Sequence, residues 1–232
     1  MKILAIDTSS NICSVAILED SNPIMKKDIN DELTHSQKLM PLIDEILKSC
    51  NLSLNDIDLL ACSIGPGSFT GIRIGVATVK AFVDVKNIPV VGVTSLESLA
   101  YNIQDEGLIC SMIDARNDNI YSGLFKHKEN TYTLIGNLLA EHIDNILPVL
   151  KGYDQKIIFV GNGSTVQKDK LLELPNANFA NSENNLANAI SIGKCAYNKF
   201  LNGEHGTSNT LLPLYLRKSQ AERALEEKEK ND

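Results

Sequence analysis

No apolar run in the 232-residue chain reaches the roughly eighteen residues that a membrane-spanning helix needs. The opening MKILAIDTSS has one lysine and a short apolar run that Asp7 interrupts, too little for a secretory core. The expectation is a soluble, cytoplasmic protein. No Cys-x-x-Cys pair occurs, and the five cysteines at 13, 50, 62, 110 and 195 are odd in number and scattered, so they read as reduced, mostly buried thiols. The four histidines, His35, His127, His142 and His205, never pair at helical spacing, so local sequence assembles no zinc or iron site and no metal is expected. A basic stripe is also missing. With a net charge of -7, the chain is not built to grip a polyphosphate backbone by its own field, and any nucleic acid must be held mostly by something else.

What is present is ample core material, 43% hydrophobic residues, enough for one large domain or two modest lobes. Strand-type runs at 3–6, 13–18 and 24–29 predict an antiparallel meander. Thr34 and Gln37 fit a capping box before a helix over 35–49, within which Pro41 removes a donor and predicts a kink. A strand at 59–64, the glycine-rich GPGSFTGIRIG at 65–75 and a helix to about 85 form one unit. A strand at 89–93 and a second capping box, Thr94 with Glu97, open a helix to about 101. The later half reads as strands at 108–113, 120–125, 131–135 and 157–160, with helices at 143–150, 166–172 and 185–201, the last closed by Gly203 in a left-handed cap. No low-complexity linker intervenes. The expected division is a first lobe at 1–106, a second at 107–220 and a charged tail at 221–232.

Gly65, Gly67, Gly71 and Gly75 invite a phosphate-loop reading, yet there is no Gly-Lys-Ser/Thr ending, and Thr70 stands where a dinucleotide fingerprint needs glycine. Gly71 and Gly75 lie one turn apart, with Thr78 and Phe82 continuing the face, which suits a shallow strip for close helix packing. Packing is preferred to phosphate. Asp7, Thr8 and Ser9 end the first strand and are candidates for a residual nucleotide site, although an acidic turn satisfying its own backbone explains them as well. Gly161 and Gly163 in the GNG turn can pass a nucleotide or supply positive φ between strand and helix. His35, alone at a helix start, reads as a partly exposed first-turn residue.

The DTSS turn, GPGSFTGIRIG, the later DARNDNIY and the LPLYLRKSQAE segment with Tyr215, Leu216 and Arg217 together resemble the bacterial TsaB family, also called YeaZ. The resemblance spans nearly the whole chain. It implies an α/β, two-lobed actin-like ATPase (ASKHA, ribonuclease H-like) fold and a non-catalytic member of it. The implied role is that of partner to the TsaD-type enzyme that places threonylcarbamoyl on N6 of the adenosine 3′ to the tRNA anticodon (t6A), with a TsaE-type ATPase joining and tRNA met only through the complex. In the TsaD type two histidines bind metal where this chain has Thr94 to Leu99, and a Ser-Gly-Gly phosphate turn stands where it has Asp114, Ala115, Arg116 and Asn117. No catalytic residue and no cofactor are therefore expected, with weak ATP or ADP binding left open.

Both long helices carry apolar arcs wide enough for two surfaces. One side is expected to feed the core and the other to meet the TsaD-type subunit, with His35, Leu39, Ile43, Leu47, Gly71, Gly75, Thr78 and Phe82 as interface candidates. An unpaired face also predicts a homodimer when the partner is absent. The competing reading is an ATP-dependent phosphotransferase or ATPase of the sugar-kinase-like fold, supported by Asp7 and the two lobes. A peptidase ranks last, because no nucleophile, base and orienting acid can be named together.

Overall fold

The computed structural model describes residues 1–30, 35–186 and 188–217. Its elements run β1 (Lys2–Asp7), β2 (Cys13–Glu19), β3 (Asn22–Ile29), α1 (His35–Ser49), β4 (Leu59–Gly65), α2 (Phe69–Lys86), β5 (Val90–Thr94) and α3 (Ser95–Ala100). They continue with β6 (Gly107–Asp114), β7 (Asn119–Lys128), β8 (Thr131–His142), α4 (Ile143–Leu150), β9 (Ile157–Val160), α5 (Asn162–Val166), α6 (Lys168–Leu171), β10 (Ala177–Phe179) and α7 (Ala189–Leu201). The strands build two five-stranded sheets, ordered β3-β2-β1-β4-β5 and β10-β9-β6-β7-β8. In each, an antiparallel meander is extended by parallel strands, β1 to β4 and β4 to β5 in the first, β6 to β9 and β9 to β10 in the second.

The first sheet is buried on both faces, which is why its central strands read as continuous apolar runs. Side chains alternate across it: Leu4, Ile6, Val15, Ile17, Leu60 and Cys62 pack with α1 and α2, while Ile3, Ala5, Ala16, Leu18, Leu59 and Ala61 face α7. Leu39, Leu42, Ile43, Ile46 and Leu47 of α1 are all buried, each stabilising by about 1.5–3 kcal/mol relative to exposure. α1 runs as one helix through Pro41. In the second lobe α4 and Leu171 cover one sheet face, and α3 packs into the other through Leu96, Leu99 and Ala100. Among the described residues no helix is long and apolar enough to cross a membrane.

Several boundaries differ from the sequence reading. β8 continues past Ile135 to His142, because its register shifts against β7 between Ser122 and Leu124 and then resumes. Gln167 divides the expected helix at 166–172 into α5 and α6. α7 begins at Ala189 with Asn188 as its N-cap, and residues 182–185 form a separate 3-10 turn. Gly203 does take a positive φ, 81°, after that helix. The capping box of Thr94 and Glu97 is present, whereas Thr34 and the tail at 221–232 lie outside the described residues.

α7 departs most from the lobe boundaries. By sequence it belongs to the second lobe, but it crosses back and seals the first sheet with Ala189, Ile192, Cys195 and Ala196. Its approach is close, since a Cβ on Gly193 would lie 2.3 Å from Cδ1 of the fully buried Leu18. The crossing is fastened by Asn102, whose amide donates to the carbonyls of Asn184 (2.7 Å) and Leu186 (3.1 Å). A ring stack ties the lobes again: Tyr101 after α3 lies on Tyr132 of β8, centroids 4.0 Å apart, and Tyr132 lies on His127 of β7 at the same 4.0 Å spacing. Gly193→Val is expected to cost about 2–3 kcal/mol by overpacking, read as a lowered urea midpoint at unchanged slope. A midpoint within error of the parent would mean that α7 sits farther from β2 than described.

Candidate functional site

The turn after β1, a candidate residual nucleotide site by sequence, is filled by the chain itself. Asp7 and Thr8 are each 1% exposed. The Asp7 carboxylate accepts from the backbone N–H (2.9 Å) and hydroxyl (2.7 Å) of Ser9. Thr8 donates its hydroxyl to the carbonyl of Gly71 at 2.7 Å. The glycine-rich turn lies directly on this structure: the N–H of Ser68 donates to the carbonyl of Ser9 at 2.8 Å, and a Cβ on Gly67 would sit 2.2 Å from that same oxygen. A phosphate does not fit where Gly67 and Ser68 meet Ser9. Burial pushes the Asp7 carboxyl above the ordinary carboxylate range, against the hydrogen bonds from Ser9 and the nearby His35, which pull it down.

This geometry corrects several interface assignments. A Cβ on Gly71 would lie 2.0 Å from the Thr8 carbonyl oxygen, and one on Gly75 2.4 Å from Thr8 Oγ1. Both glycines face inward, so their strip seats α2 on the β1 turn and offers nothing to a partner helix. His35 turns toward the same place, its Nε2 donating to the carbonyl of Ser10 at 2.7 Å. Leu39, Ile43 and Leu47 are buried in the first-sheet core and cannot touch a partner. Thr78 and Phe82 are half-buried, Phe82 packing against that core.

The outward face is a different set of residues. Ala77, Ala81 and Val85 of α2 are exposed, Val85 to 78%, with Ile74 half-buried beside them and Met40 of α1 50% exposed. Spacings of three and four residues place Ile74, Ala77, Ala81 and Val85 on one side of the helix. Periodicity alone missed this ridge because small alanines carry little hydrophobic signal beside the larger buried side chains of the same helix.

In the second lobe Gly161 and Gly163 pack against β6 rather than a ligand. A Cβ on Gly161 would lie 2.2 Å from the Met112 carbonyl oxygen, and one on Gly163 2.9 Å from backbone carbons of Met112 and Ile113. The N–H of Gly161 donates to Asn185 Oδ1 at 2.8 Å. The β6–β7 turn at Arg116, Asn117 and Asp118 closes on its own side chains: Asp114 accepts from the Arg116 N–H at 2.9 Å, and Asn119 donates to the carbonyls of Arg116 and Asn117. Asp7, Thr8 and Ser9 thus meet Gly67, Gly71, Gly75 and His35, while Gly161 and Gly163 belong to the separate packing of β6.

The chain after α7 forms a strap over the glycine-rich turn. Leu211 is buried in the first-sheet core, the Leu214 N–H donates to the Ile64 carbonyl at 2.7 Å, and Leu216 packs against the α3 cluster of the second lobe. Tyr215 stacks on Phe69 with centroids 4.8 Å apart and planes 5° from parallel.

Two substitutions test the buried turn. Gly75→Ala is expected to cost about 1–3 kcal/mol, because the new methyl must displace Thr8; a thermal melt unchanged from the parent would place the glycine outside the core. For Asp7, a raised folded-state value means that folding takes up a proton. Stability is then fully present below the ordinary carboxylate range, near pH 4, and is lost as pH rises through the folded value. Asp7→Asn should flatten that decline in urea titrations from about pH 4 to 7.5, and an unaltered slope would show that Asp7 is not its source.

Comparisons with known proteins bear on the family and the fold. Residues 32–225 match the family described as TsaD: tRNA N6-adenosine threonylcarbamoyltransferase. The chain is 32% identical over 172 residues to the tRNA threonylcarbamoyladenosine biosynthesis protein TsaB of Bacillus subtilis (strain 168), covering 74% of this chain and 75% of the relative. Among solved structures, YeaZ from Pseudomonas aeruginosa superposes with a TM-score of 0.81 at 27% identity, over 93% of this chain and 99% of that one. The ROK hexokinase from Thermus thermophilus reaches a TM-score of 0.53 at 11% identity over 88% of this chain and 100% of that one, a likeness of fold alone. The two-lobed ASKHA-type fold expected from sequence is the one observed, and the chain belongs to the TsaB (YeaZ) family.

Proposed function

We propose that the chain is an accessory, non-catalytic subunit in t6A biosynthesis, docking on a TsaD-type transferase through the outer faces of α1 and α2. The observation that carries this reading is the pairing of a self-filled turn, Gly67 on Ser9 and Gly71 on Thr8, with an apolar ridge of Ile74, Ala77, Ala81 and Val85 left open on α2. The name of the Bacillus subtilis relative, a tRNA threonylcarbamoyladenosine biosynthesis protein, supports the pathway. Ridges of small residues let two helices approach closely, and Met40 extends the apolar surface onto α1. The same surface pairs two copies of the chain when the transferase is absent.

A TsaE-type ATPase joins this assembly on the present reading, and tRNA is held by the complex, consistent with a net charge of -7 on this subunit. The setting is cytoplasmic. Nucleotide binds the isolated chain weakly at most, because a phosphate at the β1 turn must displace backbone rather than water. Calorimetry with magnesium ATP checks this: micromolar binding with turnover would restore the phosphotransferase alternative.

Reconstitution tests the role itself. TsaD-type protein, TsaE-type ATPase, the adenylate-forming enzyme, tRNA, ATP, threonine and bicarbonate should yield modified tRNA only when this chain is added, and equal product without it would end the proposal. Val85→Glu is expected to weaken heterodimer affinity by about tenfold or more, a change of about 1.4 kcal/mol, while leaving the melting temperature of the isolated chain within about 2 °C of the parent.

A further inference from the structure

The exposed ridge of α2 does not stop at Ile74. Phe69, Arg73, Ala77, Ala81 and Val85 follow one another at intervals of four residues, and none of the five is buried. Each such step advances about 40° around the helix, so Arg73 lies about 40° and Phe69 about 80° round from Ala77, while Phe69 and Val85 are about 160° apart. A partner lying along Ala81 and Ala77 therefore meets Arg73 on the next turn, and reaches Phe69 only by way of the segment that covers it.

At that end the surface is no longer the helix alone. Tyr215 of the C-terminal strap covers the Phe69 ring, stacked at 4.8 Å and 5° from parallel. Arg73 donates its Nε hydrogen to the Tyr215 hydroxyl at 2.8 Å, and its guanidinium carbon lies 5.6 Å from the centre of the tyrosine ring. Tyr215 nevertheless stays 41% exposed and Arg73 is exposed. The strap is anchored on either side of this ring, by the Leu214 N–H on the Ile64 carbonyl and by Leu216 against the second lobe. Tyrosine and arginine are the side chains that most often dominate a protein interface. Here both are held in one arrangement before any partner arrives, so little rotamer freedom remains to be lost on docking.

We propose that the docking surface for the TsaD-type subunit includes the C-terminal strap, with Tyr215 as an anchor contact pre-ordered by Phe69 and Arg73. The proposal rests on the docking reading above and adds to it the far end of the surface. It commits to that subunit as the occupant because Tyr215 continues the α2 ridge by which the subunit is taken to bind.

The test measures the affinity of the full-length chain for a TsaD-type protein by calorimetry, with thermal melts to confirm folding. Tyr215→Ala should weaken binding by about tenfold or more, and Tyr215→Phe, which keeps the stack but loses the Arg73 hydrogen bond, should weaken it less. Val85→Glu serves as the reference. If it abolishes binding while Tyr215→Ala leaves affinity unchanged, the strap lies outside the interface and the proposal fails. If Tyr215→Ala instead tightens binding, the strap competes with the partner and the proposal is again overturned. Should neither Val85→Glu nor Tyr215→Ala weaken binding, the docking reading falls and the strap proposal with it.

Discussion

Helix α2 lies on the turn after β1 at backbone-to-backbone range, and the placement of the first lobe's other parts depends on that contact. Gly71 and Gly75 allow it, because any Cβ there would enter the space of the Thr8 carbonyl or hydroxyl. The close approach brings Ser68 within hydrogen-bonding distance of Ser9, holds the glycine-rich turn over the acidic end of β1, and gives the strap a floor to cross. It also buries Asp7, whose carboxylate accepts hydrogen bonds from Ser9 and Ser63 and is nevertheless pushed toward its protonated form by lost solvation. The turn that the sequence offered as a residual nucleotide site is an internal packing joint.

The same joint fixes which side of α2 looks outward. Once the glycine face and Ile72, Val76, Val79 and Val83 are committed to the sheet, Ala77, Ala81 and Val85 must point away from it. A surface of small apolar residues then follows from the internal packing, with no separate feature required to build it. Filling the β1 turn and exposing an apolar ridge are two sides of one helix placement.

Much of the fold was legible in the sequence because local chemistry decided it. The apolar runs of β1, β2 and β4, the Thr94–Glu97 capping box and the positive φ at Gly203 are short-range signals that the structure bears out. Orientation was harder to read. Leu39, Ile43 and Leu47 sit in an arc that serves core or partner equally well on paper, and only tertiary context assigns them to the core. Gly71 and Gly75 announced a close neighbour but not its identity, which is turn backbone rather than another helix. The three-residue β10 is too short to show a period, and the helix expected at 185–201 carried no sign of which sheet it covers.

That return of α7 has a bearing on how the chain comes into being. Strands β1 and β2 leave the ribosome early, yet the helix that covers one of their faces follows more than 170 positions later, as the contact of Ala189 with Ser14 illustrates. Until it arrives, Ile3, Ala5, Ala16 and Leu18 have no lid, and pairing across so long an interval is slow. The first half therefore matures only after α7 has emerged, and the nascent protein must keep that oily side from sticking to its neighbours meanwhile.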